Sequence, residues 1–141
     1  MIRATINGKE ASFDDGITIL AAARELGIEI PTLCNDERLK PVGACRMCLV
    51  DVKGQARETA SCATALADGM EIETHSGPIE EARKWNLRML AGIYPADSFN
   101  DFPNKPFHKL ATEYGLTSAD FCVDHSVAAD SSHTYINVDM S

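Results

Sequence analysis

The chain has 141 residues, a formal net charge of −8 and 45% hydrophobic residues. That apolar share supports a packed core, and the acidic balance makes nucleic acid and anionic membrane surfaces poor partners. No apolar run approaches the roughly 18 residues of a membrane span, and Met1-Ile2-Arg3-Ala4-Thr5-Ile6-Asn7-Gly8 has no apolar signal region. A cytoplasmic protein without membrane insertion is therefore expected.

Residues 2–6 alternate apolar and polar, Asn7-Gly8 follows, and residues 9–13 continue the pattern. This predicts two antiparallel strands joined by a type I′ turn. Thr18 then caps a helix carrying Ile19, Leu20, Ala22, Ala23 and Leu26, closed by Gly27. After a cysteine-bearing loop, residues 48–52 read as a strand, Lys53-Gly54 as a turn and residues 55–59 as its return. Asp68-Gly69 is another turn, and residues 70–74 form a last strand. Hairpin, helix, loop, hairpin and closing strand describe an α+β, β-grasp domain over residues 1–77.

Pro78 opens a helix that runs to Ala91, with Ile79, Ala82, Trp85, Leu87, Met89 and Leu90 on its apolar stripe and Glu80, Glu81, Arg83, Lys84 and Arg88 elsewhere. Trp85 and Met89, four residues apart, are expected to pack. Residues 95–106 hold Pro95, Pro103 and Pro106 among Asp and Asn and read as a loop. Residues 107–114 form a short helix stopped by Gly115. Residues 78–116 thus make a helical segment. Residues 117–141 are polar, with one apolar patch at Tyr135-Ile136-Asn137-Val138, and read as an extended docking tail.

Four cysteines, Cys34, Cys45, Cys48 and Cys62, are spaced C-x10-C-x2-C-x13-C. Disulfides are disfavoured in a reducing cytosol, so a metal centre is the reason for placing four thiols within 29 residues. Zinc is one candidate, although zinc sites usually pair two C-x2-C units and here only Cys45 and Cys48 form one. The alternative is an iron–sulfur cluster. The small residues Gly43-Ala44 let backbone N–H groups approach inorganic sulfide, and plant-type [2Fe–2S] ferredoxins use a related spacing. One [2Fe–2S] cluster on these four cysteines is expected, with no catalytic residue. Arg46, between two of the ligands, raises the potential, meets an acidic partner or is simply solvated. Cys122 reads as a free thiol, and His75, His108, His125 and His133 as surface or tail histidines. No G-x-G-x-x-G or P-loop pattern suggests a nucleotide site.

The run Gly43-Ala44-Cys45-Arg46-Met47-Cys48-Leu49-Val50, set between Cys34 and Cys62, resembles the N-terminal [2Fe–2S] domain of the large iron–sulfur subunit of respiratory complex I. It is equally similar to the matching domain of iron-only hydrogenases and electron-bifurcating complexes. In those families the next helix leads into H-x3-C-x2-C-x5-C, which holds a [4Fe–4S] cluster. The corresponding positions here are Tyr94, Ser98, Asp101 and Phe107. The resemblance therefore implies a scaffold that has lost that cluster. It also implies a chain that stops, at Ser141, before the relatives' later cluster domains.

What the resemblance implies is an electron-transfer subunit of an NAD(P)H-linked, electron-bifurcating flavin complex of transhydrogenase or hydrogenase type. Its partners would be flavin- and NAD(P)H-binding iron–sulfur subunits. A free-standing [2Fe–2S] ferredoxin and a structural metal-binding module remain the alternatives.

Overall fold

The computed structural model describes residues 1–121 and 130–138. The N-terminal hairpin forms as expected. Strands β1 (Ile2–Ile6) and β2 (Lys9–Phe13) pair antiparallel from Ile2–Phe13 to Ile6–Lys9. Asn7 and Gly8 both take left-handed backbone, at φ 49° and 76°, as a type I′ turn requires.

Helix α1 (Ile19–Glu25) starts where Thr18 Oγ1 accepts the Ala21 N–H at 3.2 Å. It ends in a Schellman motif: Ile28 N–H donates to Ala23 O, and Gly27 N–H to Arg24 O, with Gly27 at φ 70°. Its buried face carries Ile19, Leu20, Ala22 and Ala23. Strands β3 (Leu49–Val52), β4 (Thr59–Ala60) and β5 (Glu71–Glu73) complete a five-stranded sheet in the order β2-β1-β5-β3-β4. The β1–β5 pair is parallel and the others are antiparallel. Ile6, Phe13, Val50, Val52 and Ile72 join the α1 side chains in one core.

The return strand β4 is shorter than the sequence suggests and begins at Thr59 rather than Gln55. Residues 53–58 are all exposed. Without an apolar face to bury, they gain nothing from extending the ladder.

Helix α2 (Gly77–Ala91) follows. Ser76 Oγ accepts the Ile79 N–H and donates to Asp51 Oδ2. The buried stripe of α2 differs from the expected one. Ile79, Arg83 and Leu87 are fully buried, whereas Trp85 and Met89 are 56% and 71% exposed. Trp85 and Met89 therefore lie outside the buried stripe. Residues 79, 83 and 87 follow a strict four-residue step, with the arginine in the middle of the buried stripe.

The chain divides into two compact units, Met1–Leu87 and Arg88–Ser141. In the second, residues 95–106 are not the loop expected from three prolines. They contain helix α3 (Ala96–Asp101), with Pro95 as its N-cap residue and Phe102 as its C-cap residue. Pro95 and Pro103 bracket the helix instead of breaking it. Helix α4 (Pro106–Glu113) follows, then a 3-10 turn (Ser118–Asp120) in which the Asp120 carboxylate accepts the Thr117 N–H at 2.8 Å. The segment after residue 117 also carries a small hairpin, β6 (Asp130–His133) with β7 (Ile136–Val138). Cys122 and His125 lie outside the described residues. No described helix is long and apolar enough to cross a membrane.

Candidate metal centre

The loop between α1 and β3 brings Cys34 and Cys45 together. Cys48 sits at the entrance of β3, and Cys62 lies just past β4. Cys48 and Cys62 are buried, and Cys34 and Cys45 are half-buried. Cys34 and Cys45 act on one another electrostatically, and Cys62 is acted on by Cys48 and Cys34. Burial works against a Cys34 thiolate, but hydrogen bonds from the Cys45 N–H, the Cys45 thiol and the Ala44 N–H outweigh it and hold Cys34 below its ordinary value. Burial pushes the Cys62 thiol up to about 12. Its hydrogen bond to Cys48 and the charges of Cys48 and Cys34 add to that rise, while the Gly43 N–H opposes it. Among the described residues, no three His, Cys, Asp or Glu side chains converge on a single metal ion.

Backbone conformation makes this close approach possible. Gly43 has φ +61°, and a Cβ there would stand 3.5 Å from Ala60 Cβ and 3.6 Å from Ala63 Cβ. A glycine at this point keeps the N–H near Cys62 without backbone strain. Arg46 also takes left-handed backbone, at φ 55°, which turns the chain between Cys45 and Cys48. Its side chain is exposed.

Helix α2 supports the loop from below, a role the sequence pattern did not suggest. Asn86 Nδ2 donates to Arg46 O at 3.0 Å. Arg83 donates through Nε to Met47 O at 2.9 Å and through Nη2 to Leu49 O at 2.7 Å. The same Nη2 reaches Thr74 O at 2.9 Å, just past β5. The backbone on both sides of Cys48 is thus held by one side chain. The available signal was a charged residue midway between two apolar residues at the four-residue step.

The donor set fits a two-iron cluster. Four cysteine thiolates serve two irons, and four cysteines, two buried and two half-buried, are present here. The backbone of Ala44 and Cys45 lowers the Cys34 thiol, which favours the thiolate form that binds metal, and the Gly43 backbone partly opposes the rise of Cys62.

In the second unit, two of the four positions where a further cluster would have its ligands are filled by packed rings. Tyr94 and Phe107 lie edge to face, with centroids 5.1 Å apart. Phe99 stacks on Phe121 at 4.3 Å. His108 is fully buried among these rings rather than at the surface as expected. Its Nδ1–H donates to Phe102 O at 2.6 Å, and among the described residues its Nε2 has no partner. Ser98 and Asp101 belong to α3.

Comparison with known proteins identifies the domain that holds these cysteines. Residues 1–77 match the model of the 2Fe-2S iron-sulfur cluster binding domain. An NADH-quinone oxidoreductase subunit of Rhizobium meliloti (strain 1021) is 47% identical over 97 residues, covering 69% of this chain and 11% of that subunit. The alpha subunit of an NADPH-Fe(3+) oxidoreductase from Geobacter sulfurreducens is 37% identical over 97 residues, covering 69% of this chain and 12% of that protein. The chain thus spans about a tenth of the length of these relatives. An NAD+-reducing [NiFe]-hydrogenase, solved in the H2-reduced state, matches with a TM-score of 0.73 and 27% identity over 98% of this chain and 59% of that one. The fold is α+β, and the chain carries a [2Fe–2S] electron-transfer domain related to those of NADH-dependent oxidoreductase subunits. It belongs to the 2Fe-2S iron-sulfur cluster binding domain family.

Proposed function

We propose that this chain is a non-catalytic electron-transfer subunit whose Cys34, Cys45, Cys48 and Cys62 hold one [2Fe–2S] cluster. The observation that carries the reading is that all four cysteines lie within residues 1–77, which match the 2Fe-2S iron-sulfur cluster binding domain. When bound, such a cluster takes up and releases one electron at a time. The protein's own contribution is to hold four thiolates, donate hydrogen bonds to sulfur and bury the Cys48 and Cys62 side. Cys34 and Cys45, less buried, form the side from which electrons enter or leave.

The partners that suit this reading are the flavin- and NAD(P)H-binding iron–sulfur subunits of a cytoplasmic, electron-bifurcating complex. Three domains serve it: residues 1–77 for the cluster, residues 78–116 as a helical segment without cluster ligands, and residues 117–141 for docking. Similarity to subunits of NADH- and NADPH-dependent oxidoreductases and to an NAD+-reducing hydrogenase supports an NAD(P)H-linked assembly.

Anaerobic purification from the native source tests the proposal. The expected result is co-purification with a flavoprotein and, in this subunit, about two irons and two sulfides, as a [2Fe–2S] centre requires. Zinc in place of iron would leave a structural metal module. A subunit that purifies alone and exchanges electrons by diffusion would be a free ferredoxin. Iron near six, with a [4Fe–4S] paramagnetic signal, would overturn the single-cluster assignment.

A further inference from the structure

Arg83 is the buried charge of this unit. Its side chain has no solvent exposure. Four of its hydrogen bonds are resolved: to the carbonyls of Met47, Leu49 and Thr74, and from Nη1 to Glu80 Oε1 at 2.7 Å. Removing a guanidinium from water is costly. A carbonyl clamp alone could be built with a neutral donor, and Asn86 does that at Arg46 O. The charge therefore calls for its own explanation.

The counter-charge is unevenly placed. Glu80 keeps 39% of its side-chain surface in water, where solvent and salt screen it. The guanidinium is dry and lies against the two carbonyls that flank Cys48. The pair therefore presents a positive face to the cysteine and a screened negative face to solvent. A positive charge in a low-dielectric setting favours any added electron nearby.

Resting on the cluster reading above, we propose that Arg83 is a positioning residue that also sets the reduction potential of the centre held by Cys48. Its fork fixes the backbone around Cys48, and its charge stabilises the reduced state. The two roles separate by substitution. Arg83→Lys keeps the charge and loses the fork. Arg83→Met keeps much of the length and loses both. Glu80→Gln keeps the fork and removes the counter-charge.

The experiment is a potentiometric titration of the as-purified subunit, followed by the paramagnetic signal of the reduced cluster, with thermal loss of its visible absorbance as a second readout. Arg83→Met is expected to shift the one-electron reduction equilibrium about tenfold against reduction, a fall of about 59 mV. Arg83→Lys should keep a potential near that of the unaltered protein but lose its cluster at lower temperature. Glu80→Gln should shift the potential upward. A cluster-loaded Arg83→Met with an unaltered potential overturns the electrostatic role. If Arg83→Met fails to load, Glu80→Gln decides: an upward shift supports the proposal and an unchanged potential overturns it. An unaltered protein that binds no iron and sulfide defeats the cluster reading itself, which is a separate outcome.

Discussion

Ser61 donates twice to the carbonyl of Cys48, through its N–H at 3.0 Å and its hydroxyl at 2.7 Å. Ser61 is fully buried and directly precedes Cys62, so a single acceptor ties the chain segments of the two inner thiols. Ser61→Ala removes one hydrogen bond and leaves the other, which is expected to cost about 1 kcal/mol. Urea denaturation of the metal-free protein measures that loss. The loaded variant should also bleach faster under chelator, and identical curves for both forms would show that the hydroxyl contributes nothing.

Cys34 and Cys62 should differ in reactivity when no metal is bound. Hydrogen bonds hold Cys34 below its ordinary value, and burial first, then its neighbours, raise Cys62 to about 12. The thiolate is the nucleophile, so at mildly alkaline pH Cys34 should alkylate first among the pair and Cys62 last. Timed alkylation of metal-free protein with peptide mapping checks the order. Equal rates would mean that the loop loses its native form without metal.

Beyond Cys34, Asp36 accepts from Arg38 three times: from Nε at 2.9 Å, from Nη2 at 2.7 Å and from the backbone N–H at 2.9 Å. The guanidinium, followed by the backbone bond, holds the Asp36 carboxyl at about 2. A folded-state value below the unfolded one means that this contribution is present above the unfolded value, about 3.9. It is lost as pH falls through about 2. Arg38→Gln should return the Asp36 midpoint most of the way to its ordinary value. A carboxyl-resolved NMR titration reads this directly, and an unmoved midpoint would refute the pairing in solution.

In the second unit, Phe121 is 3% exposed and stacks on Phe99. Truncating a buried Phe costs about 3–5 kcal/mol, so Phe121→Ala should sharply lower protection of the α3 and α4 amides. Hydrogen exchange measures it. Undiminished protection would show that the rings around His108 do not hold this unit together.

Much of the first unit was legible because local chemistry decided it. Asn7-Gly8 can form a turn that few dipeptides can, Thr18 and Gly27 bracket α1, and four cysteines at that spacing leave few chemical uses. What escaped the sequence depended on partners far along the chain. Arg83 reads as a solvated charge until three carbonyls from residues 47, 49 and 74 are placed around it. His108 reads as a surface residue until four rings close over it. Helix α3 was hidden because prolines were counted as breakers, while their positions put them at its ends. Trp85 and Met89 satisfy the i, i+4 rule for packing, but that rule says only that they share a face. It does not say that the face is covered.

The side chain of Asn7 accepts the Thr74 N–H at 2.8 Å and donates to the Thr74 hydroxyl at 2.7 Å across 67 residues of chain. At a synthesis rate of about 5–20 residues per second, the interval between making those two partners is roughly 3–13 s. Within it the β1–β2 hairpin can close, but β1 lacks its β5 neighbour. Cys34, Cys45, Cys48 and Cys62 all leave the ribosome inside that same window, before the frame that gathers them exists. For those seconds the thiols are open to oxygen and to stray zinc or copper. The order of the strands in the sheet thus sets the earliest moment at which iron and sulfide can be delivered to a finished cradle, which comes only after residue 74 has cleared the exit tunnel.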